Sequence, residues 1–312
     1  SQKGIPDIPG MHQLPGRADR EGGTGCQVVI ECIDVSYRYE VPGDEWALMG
    51  LDLRIDQGEK MTIAGPAGSG KTTLLQLIDA LMPPSGGDIL YDGVSIHELA
   101  RRKQLPSVRR RIGVLFQFPE EQFFQETAYD ELVFSLRNFF GPEEDIIEQK
   151  ASAITRGFNL DLDRLRTSSP FSLSSGEKRK LALASALMMD PEILMLDEPT
   201  AGLDASGRRE LIRIISELKD TTVVIVTHNQ EDFIGITDRI VAMAKGRKVF
   251  EGTRADLIEG IDLMERFHIK APLVIQVQRW LRSDGIELDR ISWEIEDLVS
   301  MLDRTLKHRD PD

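Results

Sequence analysis

The stretch GPAGSGKTT (residues 65–73) decides the fold of this chain. It follows the apolar run MTIA and precedes a segment of helical periodicity, which is the strand, loop and helix context of a phosphate-binding loop. Its glycines let backbone N–H groups approach phosphate oxygens at the positive start of a helix. Lys71 is expected to reach the β- and γ-phosphates and Thr72 to bind Mg2+. The predicted nucleotide-binding residues of the loop are Gly65, Pro66, Ala67, Gly68, Ser69, Gly70, Lys71, Thr72 and Thr73.

A pair of carboxylates is expected near such a loop, because triphosphate chemistry needs its metal held from a second side. ILMLDEP (residues 193–199) supplies the pair at the end of an apolar strand. Asp197 is predicted to lie in the outer shell of the metal, and Glu198 to polarise the attacking water as a general base. The two elements together predict a site that hydrolyses a nucleoside triphosphate.

The composition argues against several other classes of protein. The 312 residues carry 38 basic and 52 acidic side chains, a net charge of -14, which gives no electrostatic reason to expect nucleic-acid binding. The two cysteines, Cys26 and Cys32, form no C-x-x-C pair, which disfavours a zinc site or a disulfide framework. No apolar run approaches the roughly 18 residues that cross a bilayer, so we expect a soluble chain. Residues 1–26 are rich in Gly and Pro and are expected to form a disordered or expression-derived tail.

Strand patterns alternate with helical patterns along the chain. Strands are predicted at residues 28–35, 46–55, 88–91, 112–116, 192–196, 222–226, 239–244 and 248–250, and helices at residues 70–81, 127–139, 142–158, 175–189 and 205–219. This alternation predicts a mainly parallel sheet covered by helices. From residue 271 the pattern is helical, and one helix face is predicted to carry Ile291, Ile295, Leu298, Leu302 and Leu306. Packing on the chain's own domain and a dimer contact explain that face equally well.

The motifs resemble those of a known family in order and spacing. From about residue 28 to residue 260 the chain resembles the ATP-binding subunit of ABC transporters. Tyr39 looks like the aromatic that stacks on adenine, with Tyr37 as an alternative. Gln117 matches the Q-loop glutamine, and His228, after the strand TTVVIVT, matches the switch histidine. The remaining matches are the signature SLSSGE, with Ser174, Ser175, Gly176 and Glu177, and the D-loop AGLD, with Asp204.

The resemblance implies a fold and a mechanism. The fold is the P-loop ABC ATPase fold, a mainly parallel sheet with an antiparallel β subdomain and a helical signature subdomain at about residues 118–190. Two such subunits, identical or paralogous, close head to tail, so that Ser174 and the N–H groups near Gly176 bind the γ-phosphate held by a partner's loop. ATP and Mg2+ are the implied cofactors. The implied catalytic residues are Gln117, Glu198 and His228, and the implied Mg2+ ligands are Thr72, Gln117 and Asp197.

The residues after Gln117 narrow the resemblance. GVLFQFPEEQFFQETAYDELVFSLRNF (residues 113–139) is similar to the Q-loop and following helix of the ATPases of energy-coupling factor transporters, which import vitamins and cobalt or nickel. This implies a groove for a transmembrane T-component, a membrane S-component that binds the substrate, and a peripheral position on the cytoplasmic face of the membrane. The matching residues are Gln117, Phe118, Pro119, Glu120, Gln122, Phe124, Glu126 and Thr127. The predicted docking residues are Phe118, Glu120, Glu121, Gln122 and Glu126, and the acidic residues expected to attract arginines are Glu120, Glu121, Glu126, Asp130 and Glu131.

Residues 27–260 are predicted to form the ATPase domain and residues 261–312 a C-terminal helical extension, similar in length and character to the extensions of the same ATPases. The signature departs from the family pattern at Ser175, where Gly is usual, and at Glu177, where Gln is commoner. Ser175 adds bulk where the backbone and the γ-phosphate approach each other, and this bulk either weakens ATP binding at the site or is tolerated.

Three other functions are alternatives to an energy-coupling factor ATPase. They are an ATPase of a conventional ABC importer, an ABC ATPase acting on DNA or ribosomes, and a subunit that binds ATP without hydrolysing it.

Overall fold

The structure is a computed structural model that describes residues 28–40, 45–139, 141–267, 269–286, 288 and 290–309, without the side chains of residues 28, 29, 258, 259 and 305–309. The predicted tail at residues 1–26 therefore lies outside the described residues. None of the described helices is both long and apolar enough to cross a membrane.

Two sheets form the framework of the described chain. The larger has six strands in the order β10-β9-β3-β8-β7-β6, of which β9, β3, β8, β7 and β6 are parallel and β10 is antiparallel to β9. The smaller is antiparallel, in the order β2-β1-β4-β5. The strands are β1 (Val28–Tyr37), β2 (Leu48–Asp56), β3 (Lys60–Ala64), β4 (Gly86–Tyr91), β5 (Val94–Ser95), β6 (Ile112–Leu115), β7 (Ile193–Asp197), β8 (Thr222–Thr227), β9 (Arg239–Ala244) and β10 (Arg247–Thr253).

Helices cover both faces of the larger sheet. They are α1 (Lys71–Ile78), α2 (Ile96–Arg101), α3 (Leu105–Arg109), α4 (Ala128–Phe139), α5 (Glu144–Gly157), α6 (Leu162–Thr167), α7 (Ser175–Leu187), α8 (Ala205–Glu217), α9 (Leu257–Arg266), α10 (Leu273–Ser283) and α11 (Ile295–Arg309). The predicted mixed fold, a mainly parallel sheet beside an antiparallel one, is confirmed. The prediction placed the end of α1 at residue 81, whereas the helix ends at Ile78 because Ala80 adopts a left-handed backbone with φ 55°.

The central strands are buried on both faces because their side chains alternate between two apolar clusters. In β7, Leu194 and Leu196 join the cluster of α4, α5, α7 and α8, whereas Ile193 and Met195 join the cluster of α1 and the antiparallel sheet. This arrangement explains why ILML reads as a continuous apolar run. It also fixes the strand end, where Asp197 and Glu198 follow.

The predicted apolar face of the C-terminal segment is correct at three positions and wrong at one. Leu298 is buried in the apolar cluster around α10, and Ile291 and Leu302 pack against the same cluster. Helix α11 begins at Ile295, which is 51% exposed and does not belong to that face. Leu306 lies where no side chain is described. Helix α9 runs across the predicted domain boundary at residue 260, and its Leu257 and Met264 are buried in a cluster with Ile240 and Ala242 of β9.

Candidate functional site

The carboxyl ends of β3, β6, β7 and β8 bring the predicted motifs to one edge of the larger sheet. The phosphate loop leaves β3 and enters α1 through Gly70, which has φ 97°. A Cβ on Gly70 would lie 2.4 Å from the backbone oxygen of Ala47, and one on Gly65 would lie 2.3 Å from that of Met243. Both positions therefore require glycine, for backbone geometry and for close packing of the loop against its neighbours.

Lys71 is the buried cation of the loop. Its Nζ donates to the backbone oxygens of Gly65 at 2.8 Å and Pro66 at 2.9 Å. Burial lowers the pKa of Lys71, opposed by the nearby charges of Glu198 and Asp197. A desolvated ammonium of this kind interacts strongly with a phosphate that enters the same space.

Thr72 and Asp197 bring two oxygen ligands together across the site. The Thr72 hydroxyl donates to Oδ2 of Asp197 at 2.8 Å. Burial raises the pKa of Asp197, although the bond from Thr72 and the charge of Lys71 lower it. A hard divalent cation would relieve this desolvation, because carboxylate and hydroxyl oxygens are the ligands that Mg2+ uses beside phosphate oxygens. The residues present therefore fit the metal that the sequence predicts.

Glu198 and His228 face each other at the ends of β7 and β8. Oε1 of Glu198 accepts the backbone N–H of His228 at 2.8 Å and lies 2.7 Å from its ring Nδ1. Thr227, whose role the sequence did not indicate, donates its hydroxyl to Oε2 of the same carboxylate at 3.1 Å. The carboxylate of Glu198 is thus held in one orientation at the strand edge, while the imidazole of His228 remains largely exposed.

Glu198 adopts a left-handed backbone conformation with φ 49°. Such a conformation in a residue other than glycine costs on the order of 1–3 kcal/mol and persists only where the surroundings fix it. Here the N–H of Glu198 donates to the backbone oxygen of Val226 at 2.8 Å, and its own oxygen accepts the N–H of Ala201 at 3.1 Å. The strained backbone turns the carboxylate out of the strand and toward His228.

Two tyrosines at the end of β1 separate into different environments. The Tyr39 hydroxyl lies 2.9 Å from the hydroxyl of Thr73, at the edge of the phosphate loop. The Tyr37 hydroxyl instead contacts the sulfur of Met82, and the Tyr37 ring packs edge-to-face on Tyr39 with 5.0 Å between centroids. Only Tyr39 of the two lines the cavity described next.

A cavity of about 560 Å3 lies at this edge of the sheet. It is lined by most of the predicted loop residues, by Asp197 and Glu198, and by Gln117 and His228. Gly65 and Pro66 are not among its lining residues, and their backbone oxygens accept from Lys71. Ala47 also lines the cavity and carries no sequence feature that could have identified it. The lining residues are Tyr39, Ala47, Ala67, Gly68, Ser69, Gly70, Lys71, Thr72, Thr73, Gln117, Asp197, Glu198 and His228.

The signature residues lie outside this cavity, at the start of α7. Ser174 caps the helix in a capping box with Glu177: the Ser174 hydroxyl donates to the Glu177 carboxylate at 2.8 Å and accepts the Glu177 N–H at 3.3 Å. Bonds from Ser174, its backbone N–H above all, lower the pKa of Glu177 against the opposing effect of burial. Among the described residues, a Cβ on Gly176 would meet Leu203 alone, at 3.9 Å. The described part of the chain thus leaves room for a side chain at position 176.

The segment between Gln117 and α4 presents all five of its predicted docking residues to solvent. Phe118, Glu120, Glu121, Gln122, Phe124 and Glu126 are all exposed. The expectation that Glu131 attracts arginines is wrong, because Glu131 is buried and its Oε2 accepts the N–H groups of Phe124 and Gln125, both at 2.9 Å. Asp130 is partly exposed and already bonds to Thr127 and Arg137. In the D-loop, Asp204 caps α8 by accepting the N–H of Gly207 at 2.8 Å.

A phosphate loop, a buried carboxylate pair and an exposed histidine at the ends of adjacent parallel strands define the site of a P-loop ATPase. Comparison with known proteins carries this further. The sequence profile of the ABC transporter family matches residues 48–201. The energy-coupling factor transporter ATP-binding protein EcfA2 of Thermotoga maritima is 41% identical over 251 residues, which are 79% of this chain and 90% of that protein.

Solved structures agree with the sequence relatives. The structure of cbiO1 from Clostridium perfringens, described as part of the ABC transporter complex cbiONQ, superimposes with a TM-score of 0.65 at 29% identity, over 80% of this chain and 98% of that one. The dimeric post-hydrolysis structure of the cassette MJ0796 with ADP and Pi gives 0.63 at 27% identity, over 72% and 98%. The chain belongs to the ABC transporter ATPases, in the family of energy-coupling factor transporter ATP-binding proteins. It is an ATPase, and ATP is its nucleotide.

Proposed function

We propose that this ATPase powers an energy-coupling factor importer of a vitamin or a transition-metal ion. In this proposal it lies on the cytoplasmic face of the membrane, bound to a transmembrane T-component that works with a substrate-binding S-component. ATP closes it against a second ATPase subunit, identical or paralogous, and the closure is transmitted to the T-component.

The observation that carries the proposal is the exposed segment after Gln117. Gln117 lines the ATP cavity. The next residue, Phe118, is 52% exposed, and Phe124 is 61% exposed. Phe124 packs edge-to-face on Phe134 with 4.7 Å between the ring centroids, and exposed apolar surface of this kind is typical of interaction sites. Glu120, Glu121 and Glu126 surround them with negative charge, so the segment fits a helix that carries both apolar and basic side chains. A partner helix that contacts Phe118 would thus bind directly beside Gln117, which lines the ATP cavity.

Within the ATP site, the proposed roles follow from position and chemistry. Tyr39 stacks on adenine, and the loop from Gly65 to Thr73 binds the phosphates. Thr72, Gln117 and Asp197 hold Mg2+, which offsets the charge of the phosphates when bound. Glu198 accepts the proton of the attacking water, and His228 keeps the Glu198 carboxylate oriented. Ser174, Ser175, Gly176, Glu177 and Asp204 act toward the nucleotide of the partner subunit.

The position of the signature residues outside the chain's own ATP cavity supports a head-to-tail dimer. The signature residues at the start of α7 are not among those that line the chain's own cavity, although the start of a helix is a favourable position for phosphate. A partner's nucleotide would meet these residues if two subunits closed head to tail.

Co-purification tests the proposal directly. The full chain, expressed with a T-component and an S-component, should be recovered as a complex from detergent, and the variant Phe118→Ser/Glu120→Lys should lose at least about nine-tenths of it. Asp145→Lys, on the exposed side of α5, is the matched charge-reversal control and should keep the complex. Recovery only with the permease of an importer fed by a solute-binding protein would overturn the proposal.

A further inference from the structure

A buried arginine joins two motif residues of the ATP site. Arg179 lies on α7, three residues beyond Gly176 of the signature, and is 6% exposed. Its Nη1 donates to the backbone oxygen of Glu198 at 2.6 Å, and its Nη2 donates to the backbone oxygen of Gln117 at 2.7 Å. One guanidinium therefore contacts the main chain of two residues that line the ATP cavity.

The electrostatic setting of Arg179 is unfavourable for a residue that serves packing alone. Among the described residues, no carboxylate oxygen lies within 4.0 Å of its guanidinium; Glu120 and Glu198 act on it only as more distant charges. Burial lowers the pKa of Arg179. An apolar side chain would fill the same space without desolvating a charge, so the two bonds are the feature that needs an arginine. Its planar fork donates to two acceptors at fixed separation, which a lysine does not.

The bond to Glu198 falls on a strained peptide. Glu198 has φ 49°, and its backbone oxygen accepts from both Arg179 and the N–H of Ala201. Pro199 follows and has no N–H of its own to hold the turn. Loss of Arg179 would leave the peptide free to relax, and the carboxylate would turn away from His228.

We propose that Arg179 is a positioning residue that couples the signature helix to the general base of the same chain. The signature at the start of α7 engages the partner's ATP, and Arg179, one turn further along, transmits the position of α7 to Glu198 and Gln117. The two ATP sites of a dimer are then linked through a rigid helix and one guanidinium. The inference rests on the proposed role of Glu198 as the base.

Three variants of the full-length chain separate positioning from stability. Arg179→Met keeps the length of the side chain but removes its donors, and Arg179→Lys keeps one donor group. Lys180→Met removes the neighbouring cation on α7, which is partly buried and pairs with Glu210 at 2.6 Å, and is the control. We expect Arg179→Met to lower kcat at least about tenfold with KM for ATP within about twofold, because the variant disturbs the orientation of Glu198 but leaves the phosphate loop and Tyr39 unaltered. The kcat of Arg179→Lys should lie between those of Arg179→Met and the parent, and the kcat of Lys180→Met should match that of the parent.

Hydrogen–deuterium exchange gives a readout that does not depend on turnover. Peptides covering residues 117–122 and 198–203 should exchange faster in Arg179→Met than in the parent or in Lys180→Met, below the melting temperature of each. Unchanged kcat together with unchanged exchange would overturn the inference, and so would parallel losses in kcat and ATP affinity. If Glu198→Gln retains the parent's ATP turnover, the assignment of Glu198 as the base is wrong. If Glu198→Gln loses turnover but Arg179→Met does not, the assignment of the base stands and the coupling through Arg179 is wrong.

Discussion

One oxygen of Glu198 makes two contacts with His228, at 2.8 Å to the backbone N–H and at 2.7 Å to the ring Nδ1. The first contact does not depend on the imidazole. A backbone bond thus holds the carboxylate even when the ring is removed, and the ring adds the second restraint from its exposed position. Under the proposed roles, the carboxylate of Glu198 accepts the proton of the attacking water, and His228 contributes only to the position of that carboxylate.

Replacing Glu198 by Gln should lower kcat at least about 100-fold, because general-base catalysis typically contributes 100- to 10,000-fold. His228→Ala should lower kcat less, because the backbone N–H still holds the carboxylate. Steady-state ATPase assays measure both, and a fluorescent ATP analogue should bind both variants with nearly the parent's affinity. If Glu198→Gln turned over at the parent rate, another group would have to accept the proton.

Tyr39 and Tyr37 give a matched pair for the nucleobase. Tyr39→Ala should weaken ATP binding by roughly 1–3 kcal/mol, about 5- to 150-fold in Kd, the range for a base stacked on an aromatic ring. Tyr39→Phe should retain the affinity, since stacking needs the ring and not the hydroxyl that contacts Thr73. Tyr37→Ala should change Kd much less. Equal losses for the two alanine variants, measured by isothermal titration, would assign stacking to neither residue alone.

The sequence predicted the features that are local in the chain. Gly70, Lys71 and Thr72 are fixed by one loop between a strand and a helix, and Asp197 by the end of an apolar strand. Features that depend on distant residues were missed. Arg179 reaches Gln117 across 62 residues, and no periodicity on α7 marks it as a donor to two backbone oxygens.

The same physical reason explains the wrong expectations. Glu131 resembles a solvated acid in the sequence, but the chain before α4 folds back and places two N–H groups on its carboxylate. Ile295 resembles part of a buried stripe, but α11 begins at that residue and turns it outward. In both cases the direction of a side chain is set by where a helix starts and what folds over it, which composition and spacing do not determine.

Ser175 tests whether the signature acts outside its own chain. Ser175 is the exposed first residue of α7, and its backbone does not adopt the left-handed conformation that favours glycine. The side chain of Ser175 therefore causes no backbone strain at this position, and under the proposed dimer its effect on turnover arises at the partner's γ-phosphate. We expect Ser175→Gly to raise ATP turnover about threefold in the assembled dimer and to leave the melting temperature of the dilute subunit within about 2 °C. Unchanged turnover would show that the serine is tolerated.

Asp79 makes stability depend on pH in a defined direction. It ends α1, where the helix dipole disfavours negative charge, and it is 8% exposed. Burial raises its pKa from 3.8 to about 7, while the charge of Arg109 lowers it. The folded state thus binds the proton more tightly than the unfolded chain, so this stabilisation is complete below pH 3.8 and is lost as pH rises to about 7.

Asn at position 79 imitates the neutral acid, so Asp79→Asn should match the parent near pH 4 and exceed its free energy of unfolding by on the order of 4 kcal/mol above pH 7. Urea unfolding between pH 4.5 and 8 measures the difference, which should grow through that range and then level off. Asp145→Asn, on the exposed side of α5, is the matched control for the loss of one carboxylate. A difference that stayed constant with pH would mean that Asp79 is ionised in the folded chain throughout, and that Arg109 stabilises its charge more than burial and the helix dipole oppose it.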